Sequence, residues 1–443
     1  MHINIGVISL GCPKNLVDTE VILGNLSRQG YNITNKVEQA DVIIINTCGF
    51  IHDAKQESIN TILEMAEHRT KGNCRALLVI GCLAERYKED IYREIPEVDA
   101  VITIKEYVQI PEVISSLVKA GKEKKIIPYE ENYLNRVRST LPFISYLKIS
   151  EGCDNRCSYC VIPFIRGAYR SRNIDDILDE ARHLSNYGVK ELIIIAQDTT
   201  KYGIDVYGEP KLAELLKKLC RVEGIEWIRF LYAYPDSVTD ELIEVMVQEE
   251  KICKYIDLPI QHISDNVLKA MARKSKSTQI KQVIKKLRDN IPDIAIRTSI
   301  IVGFPGETEE DFDELLNFIQ ETKFDRLGVF TYSKEEGTVA AKLSNQVPYK
   351  VKKARQSKIM KIQKEISKSI NQGHIGKSMK VLIEGRNQTH NYFGRTFRDA
   401  PEIDGIVYVK SEKDLAIGSI EEVCIKKTSQ YDLIGGVNNE SCK

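Results

Sequence analysis

The sequence predicts an α/β chain in three parts: an amino-terminal parallel-sheet α/β domain, a central partial βα barrel and a small carboxyl-terminal antiparallel β-barrel. Three observations carry that expectation. Apolar, β-branched runs alternate with helix-length amphipathic stretches near the amino terminus. Strand and helix patterns resume at Ile144 and continue for about 230 residues. After Gly373 the pattern changes to short strands separated by turns. A chain of 443 residues is long enough for two to four cores, and 42% hydrophobic with 28% charged residues are ordinary globular values. That composition excludes a disordered tail, a collagen-like fibre and a disulfide-dense miniprotein.

Each element has its own signal. Ile3 to Leu10, Asp41 to Thr47 and Arg75 to Gly81 are strand-like runs leading to Cys12, Cys48 and Cys82. The stretches around Asp18 to Arg28 and Lys55 to His68 carry apolar residues at helical spacing. The 36 and 34 residues between successive cysteines match one strand-helix unit, which implies a parallel sheet with right-handed crossovers. All three thiols then stand at the carboxyl end of that sheet, the edge where open α/β sheets bind ligands. This domain spans 1–121. Residues 122–140 mix charge, Tyr and Pro without periodicity and read as a linker holding one hairpin.

The partial, TIM-like barrel follows over 141–372. Its strands are expected near 144–149, 191–196, 226–233, 255–260, 294–302 and 326–332, with active groups on the loops after them. The loop after the first strand reads EGCDNRCSYC. Residues 350–368 form a helix with eight Lys or Arg and one acid, Glu365. It reads either as a solvated helix packed by Val351, Ile359, Ile362 and Ile366 or as an RNA-binding surface. KSMKVLIEG, GIVYVK and EEVCIKK give 373–439 the pattern of a small barrel. Ten basic and ten acidic residues from 373 to 443 argue against a grip on a polyanion.

Apolar stretches such as Leu192 to Ala196 are far too short to cross a bilayer, so no membrane association is expected. The amino terminus lacks a basic start followed by a long apolar run, so a cytoplasmic protein is expected. Sixty-three basic and 63 acidic residues cancel, which leaves no global field to attract nucleic acid or membrane. Eleven cysteines, an odd number without an export signal, point to metal or redox ligation rather than disulfides.

Cys153, Cys157 and Cys160 form a Cys-x3-Cys-x2-Cys run with Tyr159 directly before the last thiol. Three thiolates at this spacing wrap three irons of a 4Fe-4S cube. No further cysteine follows until Cys220, so one iron stays open to a substrate or cofactor. Zinc ribbons pair two knuckles, which this chain lacks.

This run, in the first loop of a βα barrel, resembles the radical S-adenosylmethionine superfamily. The resemblance implies that the open iron binds the amino and carboxylate groups of the methionine part. An electron from the cluster then cleaves the sulfonium, and a 5'-deoxyadenosyl radical forms in a closed, dry cavity. IVGFPGETEEDF at 301–312 resembles the superfamily's glycine-proline motif near the adenine. There Gly303 and Gly306 permit close backbone approach and Pro305 stiffens the loop. PIQHISDNVLKAMARK at 259–274 resembles the segment near the ribose, which makes Gln261 and Ser264 candidates. A polar strand end capping the next helix is the competing reading. Gln197 and Asp198, at the end of the second strand, are candidates for the methionine amino group, and Tyr159 is a further cofactor contact.

Cys12, Cys48 and Cys82, ahead of such a core and a terminal β-barrel, resemble the methylthiotransferases over essentially the whole chain. That resemblance implies a second 4Fe-4S cluster on this triad, whose open iron carries the sulfur that is methylated and delivered. S-adenosyl-L-methionine is then both methyl donor and radical source, and the TRAM-like terminal barrel binds substrate. One branch of the family, MiaB-like or MtaB-like, modifies an adenosine beside the anticodon of transfer RNA. The RimO type modifies the β-carbon of an aspartate in protein S twelve of the small ribosomal subunit. SLGCPKNLVDTE, NTCGFIHDAKQES, APEIDG at 400–405 and YDLIG at 431–435 resemble the RimO pattern. A basic target protein also suits a neutral terminal barrel better than a bare RNA loop does. The implied partners are that ribosomal protein, free or within the ribosome, and an electron donor such as flavodoxin or ferredoxin, with nucleic-acid contact secondary. Cys74, Cys220, Cys253, Cys424 and Cys442 lack partners at ligand spacing and read as ordinary cysteines, mostly small hydrophobes.

Overall fold

The computed structural model, which describes residues 3–118, 127–388, 391–437 and 442, begins with a five-stranded parallel sheet. The chain enters through β1 (Asn4–Ser9), α1 (Pro13–Arg28), β2 (Asn32–Thr34), β3 (Val42–Thr47) and α2 (His52–Lys71). It continues with β4 (Ala76–Gly81), α3 (Cys82–Glu94), β5 (Ala100–Ile102) and α4 (Ile110–Leu117). The strand order is β2-β1-β3-β4-β5, so the three strands that lead to cysteines lie side by side. Every residue of β3 and β4 is buried, as expected for a parallel sheet covered on both faces. Ile5, Ile44 and Leu78 pack under α1 and α4 on one face; Ile43, Leu77 and Val79 pack under α2 and α3 on the other. The cysteine-linked runs form the expected strands, whereas β2 and β5, at three residues each, are additions that periodicity does not signal.

The segment after α4 carries no strand among the described residues 127–139, and the rest of the expected hairpin lies outside the described residues. It runs instead as a strap over α1. The buried Glu20 carboxylate accepts from Arg136 Nη1 at 3.0 Å and from the Ser139 backbone N–H at 2.7 Å. Gly24 lets the strap approach, since a Cβ there would stand 2.1 Å from the Asn135 carbonyl oxygen. Contacts join this amino-terminal part, Met1–Ser139, with Glu151–Tyr169 and Ser333–Ala341 into one unit.

Thr140–Ser150, Arg170–Tyr332 and Lys342–Lys443 form the second unit. Its first strand is β6 (Ile144–Lys148); the short β7 (Ser150–Glu151), α5 (Ile162–Arg166) and β8 (Arg170–Ser171) follow along the chain. Then come α6 (Ile174–Asn186), β9 (Glu191–Ile195), α7 (Ile204–Tyr207), α8 (Leu212–Cys220), β10 (Trp227–Phe230), α9 (Asp240–Gln248) and β11 (Tyr255–Asp257). The last βα segments are α10 (Asp265–Ala270), α11 (Ser277–Asn290), β12 (Ala295–Val302), α12 (Glu309–Thr322), β13 (Arg326–Thr331) and α13 (Tyr349–Gln372). Two three-stranded parallel sheets, β10-β9-β6 and β11-β12-β13, meet where Cys253 N–H donates to Ile228 O at 2.9 Å and Ala233 N–H to Asp257 O at 2.8 Å. The result is an open six-stranded arc, the partial barrel that the sequence predicts.

The carboxyl-terminal strands β14 (Ser378–Asn387), β15 (Asn391–Thr396), β16 (Val407–Ser411), β17 (Ile420–Thr428) and β18 (Leu433–Val437) close a barrel in the order β14-β15-β16-β18-β17. Four junctions are antiparallel; β16 and β18 pair parallel, from Val407 opposite Leu433 to Ser411 opposite Val437. This small barrel sits on the amino ends of the central strands. Fully buried Glu191, first in β9, binds Arg229 at 2.9 Å and Arg395 at 2.6 Å. Arg229 Nη1 also donates to the Phe397 carbonyl at 2.8 Å, and Tyr255 O–H donates to Asp404 at 2.8 Å. The APEIDG string therefore has a docking role: Asp404 also accepts from Ala400 N–H, and Asp399 pairs with Arg326.

Candidate functional site

The amino-terminal cysteines gather at one sheet edge, as the repeat spacing requires. Cys12 precedes α1, Cys48 follows β3 and Cys82 opens α3, all at the carboxyl ends of adjacent strands. Positive φ at Gly11, +89°, folds the chain so tightly that a Cβ there would lie 3.0 Å from Cys48 Sγ. Cys48 is locked by Ser58, whose hydroxyl accepts from its N–H and donates to its C=O, both at 3.0 Å. Burial pushes the Cys48 thiol up to about 12, and the nearby Cys82 and Cys12 add to that rise. A metal bound here would have to displace the Cys48 proton. The amino ends of α1 and α3 point at Cys12 and Cys82, where helix dipoles favour negative charge.

Cys153, Cys157 and Cys160 belong to the same unit. Their loop is pinned by Cys153 N–H donating to Gly167 O at 3.2 Å and Cys160 N–H to Cys157 O at 3.0 Å. Cys153 and Cys157 are buried, while Tyr159 and Cys160 are half-buried. Just after the loop, Val161 and Ile165 pack on Cys82. Arg166, at the end of α5, reaches further: Nη2 donates to Asn15 Oδ1 at 3.0 Å and to Cys82 Sγ at 3.4 Å. Its Nη1 pairs with buried Asp18 and, at 3.3 Å, with Glu151. Burial pushes the Cys82 thiol up, and the Arg166 charge pulls it back down. The buried Tyr107 hydroxyl has no hydrogen-bond partner among the described residues and stands in electrostatic range of Asp18, Arg166 and Cys82.

An iron-sulfur cube asks for one thiolate at each of three separate irons, with buried donors to satisfy its sulfurs. The amino-terminal triad offers one thiol from each of three adjacent strand ends, and the Tyr107 hydroxyl and the Arg166 guanidinium beside Cys82 are donors of that kind. Cys153, Cys157 and Cys160 offer three thiols from one loop.

In the second unit the remaining candidates stand after the carboxyl ends of β9, β11 and β12. Gln197 is half-buried; fully buried Asp198 accepts from Thr200 Oγ1 at 2.6 Å and faces Lys201 at 3.9 Å. Gln261 adopts φ +71° and extends the sheet beside β12, its N–H donating to Ser299 O at 2.9 Å and its C=O accepting from Ile301 N–H at 2.8 Å. Ser264 occupies the residue before α10, but its hydroxyl donates to Asp311, the third residue of α12, which completes the capping box with Thr308. Gly303, at φ +70°, lies against Lys352, whose Cγ would be 2.2 Å from a Cβ. Pro305 is buried and Gly306 faces open space.

Three residues around this loop escape sequence reading. Glu307 accepts from Phe304 N–H at 2.9 Å and pairs with buried Arg355 at 2.9 Å. Lys352 donates to the Tyr332 carbonyl at 2.9 Å. His262 Nδ1 accepts from Ser264 N–H at 3.0 Å, which places the proton of the neutral ring on Nε2, a fully buried atom without a partner among the described residues. Burial holds that ring neutral by pushing it down to about 3. The basic helix thus turns cations inward: Lys352, Arg355, Gln363 and Ser367 are buried with Ile359, while Val351, Ile362 and Ile366 are only partly buried. The one further correction is a disulfide. Cys424 on β17 and Cys442 pair across a Cα–Cα distance of 5.6 Å.

Family models match the chain in three places: the radical SAM superfamily over 147–319, the uncharacterized protein family UPF0004 over 4–103, and the TRAM domain over 375–437. A ribosomal protein uS12 methylthiotransferase RimO from Alkaliphilus oremlandii is 53% identical over 99% of both chains. Proteins of the same name from Clostridium acetobutylicum, 50% identical over 99% of both chains, and Acetivibrio thermocellus, 51% over the full length of both, are similar as well. Among solved structures, the radical S-adenosylmethionine methyltransferase TsrM from Kitasatospora setae shares the fold over 75% of each chain, with a TM-score of 0.54 and 13% identity. The full-length identity, together with the radical SAM model over the cysteine loop and barrel, shows that the chain belongs to the RimO family of methylthiotransferases, radical S-adenosylmethionine enzymes that use a 4Fe-4S cluster.

Proposed function

We propose that this chain methylthiolates the β-carbon of an aspartate in ribosomal protein uS12, using two 4Fe-4S clusters and S-adenosylmethionine. The observation that carries the reading is the placement of both cysteine triads in one unit, tied together by Val161, Ile165 and Arg166 against Cys82. In this reading Cys153, Cys157 and Cys160 hold the cluster that engages S-adenosylmethionine, and Cys12, Cys48 and Cys82 hold the one that carries sulfur. When bound, these groups supply one-electron cleavage of the sulfonium and a transferable methylthio sulfur, chemistry an unactivated C–H bond demands and side-chain acids and bases cannot provide.

The chain's own residues do the holding. The Ser58 hydroxyl fixes the Cys48 backbone, and the Gly11 turn brings its neighbour Cys12 beside Cys48. The barrel loops offer Gln197, Asp198, Gln261 and the Gly303–Gly306 backbone to the methionine, ribose and adenine parts, with Tyr159 beside its own cluster. Ser264 supports these loops through Asp311, and Arg355 does so through Glu307. Residues 1–121 are the sulfur-carrying domain, 141–372 the radical core joined to it by 122–140, and 373–439 the substrate-gripping barrel. A flavodoxin or ferredoxin supplies the electron, and the reaction takes place in the cytoplasm. No helix among the described residues is long and apolar enough to cross a membrane.

The test uses two variants. Cys157→Ala is expected to abolish S-adenosylmethionine cleavage in a folded chain. Cys48→Ala is expected to keep deoxyadenosine formation and lose methylthio insertion into uS12. Unchanged product from Cys48→Ala overturns the second cluster. A methylthio increment that goes missing from transfer-RNA nucleosides in cells lacking the gene, with uS12 unaffected, moves the substrate to RNA.

A further inference from the structure

We infer that Arg166 is a positioning residue for the amino-terminal centre: acting through Cys82, it raises the reduction potential of the cluster held by Cys12, Cys48 and Cys82. This deepens the proposed function and rests on the second cluster named there.

Three observations carry it. Arg166 is buried, yet one of its contacts is the sulfur of Cys82, at 3.4 Å, rather than another carboxylate or carbonyl. The guanidinium is held rigidly, by Asp18 and Glu151 on one nitrogen and by Asn15 on the other. Asn15 is itself fixed, donating to the Leu10 carbonyl at 2.7 Å, so the fork cannot turn from the sulfur without breaking buried hydrogen bonds. A hydrogen bond and positive charge at a ligating sulfur stabilise the reduced, more negative state of a cluster, and burial strengthens both effects. Arg166 also stands six residues beyond Cys160, so the same short segment supplies ligands to one centre and a charge to the other. The couple concerned is a one-electron reduction of iron in the bound cluster, with no bond of the chain formed or broken.

The experiment takes the full-length chain with Cys153, Cys157 and Cys160 changed to Ser, reconstitutes it with iron and sulfide, and titrates it with dithionite under electron paramagnetic resonance. Iron, sulfide and spectrum first establish whether the amino-terminal triad holds a cluster. Absence of one overturns the two-cluster reading and this inference with it. With a cluster present, Arg166→Gln is expected to lower the potential by at least a tenfold change in the reduced-to-oxidised ratio, about 59 mV for one electron. Arg166→Lys is expected to recover part of that shift. Asp18→Asn, which removes an anion and leaves the Arg166–Cys82 contact, is expected to shift the potential upward. A merely structural ion pair predicts equal loss of stability from either side and no opposed shifts. Unmoved potentials, or shifts of one sign in Arg166→Gln and Asp18→Asn, overturn the inference while leaving the cluster assignment standing. Should Arg166→Gln fail to load iron, Arg166→Lys and Asp18→Asn decide by the same signs.

Discussion

Two groups of buried arginines do opposite work in this molecule. At the amino ends of the central strands, Arg229 and Arg395 face Glu191 and Glu384, so two cations meet two carboxylates at a junction between the two barrels. Beside the amino-terminal cysteines, Arg166 faces Asp18, Glu151, an amide and a thiol. Removing either set of charges from water is costly, and only good geometry offsets it. The first set closes on itself and fixes how the small barrel docks. The second leaves one donor on a sulfur, so the same device that anchors structure also touches a cysteine of the amino-terminal triad.

The strongest way to break this contrast is at Glu191. Glu191→Ala leaves two buried guanidiniums without their shared partner and is expected to destabilise the chain by about 3–5 kcal/mol. Denaturant unfolding of the metal-free protein measures it. A loss below about 1 kcal/mol would mean that the two barrels dock through their apolar contacts instead.

The next effect separates two buried carboxylates by pH. Burial pushes Glu191 up, but Arg395 and Arg229 outweigh it and hold the group below its usual range. Burial pushes Glu307 up to about 7 against the weaker pull of Arg355. The signs differ. A depressed carboxylate contributes stability present above its unfolded value near 4.5 and lost as pH falls. A raised one contributes stability present below 4.5 and lost as pH rises through about 7. Relative to the wild type, Glu307→Gln is therefore expected to gain on the order of 2–3 kcal/mol between pH 5 and 8. Glu191→Gln is expected to lose ground as pH rises from 3 to 6. Parallel pH profiles for the two variants would show that Arg355 holds Glu307 as firmly as the arginine pair holds Glu191.

How much of this was legible in the sequence follows from where each signal resides. Strands and helices with four or more periodic positions were readable, and the spacing of Cys12, Cys48 and Cys82 placed them on one edge. β2 and β5, of three residues each, carry no periodicity of their own, whereas β11, equally short, was readable because its apolar run continues to Ile260. The inward face of α13 was hidden because Lys352, Arg355 and Gln363 are buried by donating to Tyr332, Glu307 and Phe324, and a charge pattern does not reveal backbone acceptors supplied by other elements. Arg166 stands in plain view after the cysteine run, yet its partners Asp18 and Cys82 lie 148 and 84 positions away. The APEIDG string was legible as a pattern but not as a docking loop. The pairing of Cys424 with Cys442 depends on proximity in the fold, which composition does not encode.

A smaller effect sharpens the strap over α1, which shares the buried Glu20–Arg136 pair with neither arginine group. Gly24→Ala pushes a methyl group toward the Asn135 carbonyl, and the strap must shift to admit it. The expected cost is about 1–2 kcal/mol, with faster proteolysis at 127–139. Wild-type cleavage rates would show that the strap is free to move and that Glu20 does not hold it.

The smallest effect sets the scale for all the others. Arg386 and Asp414 form an ion pair on the small barrel with both side chains mostly exposed. Water screens such a pair, and holding two long side chains in one geometry costs entropy, so Arg386→Ala is expected to leave the denaturant midpoint nearly unchanged. The same arginine-carboxylate chemistry thus spans a several-fold range within one chain, and burial is the variable that orders it. If Arg386→Ala cost as much as Glu191→Ala, burial would lose that explanatory role, and the rigidity of Arg166 beside Cys82 could no longer be argued from its enclosure.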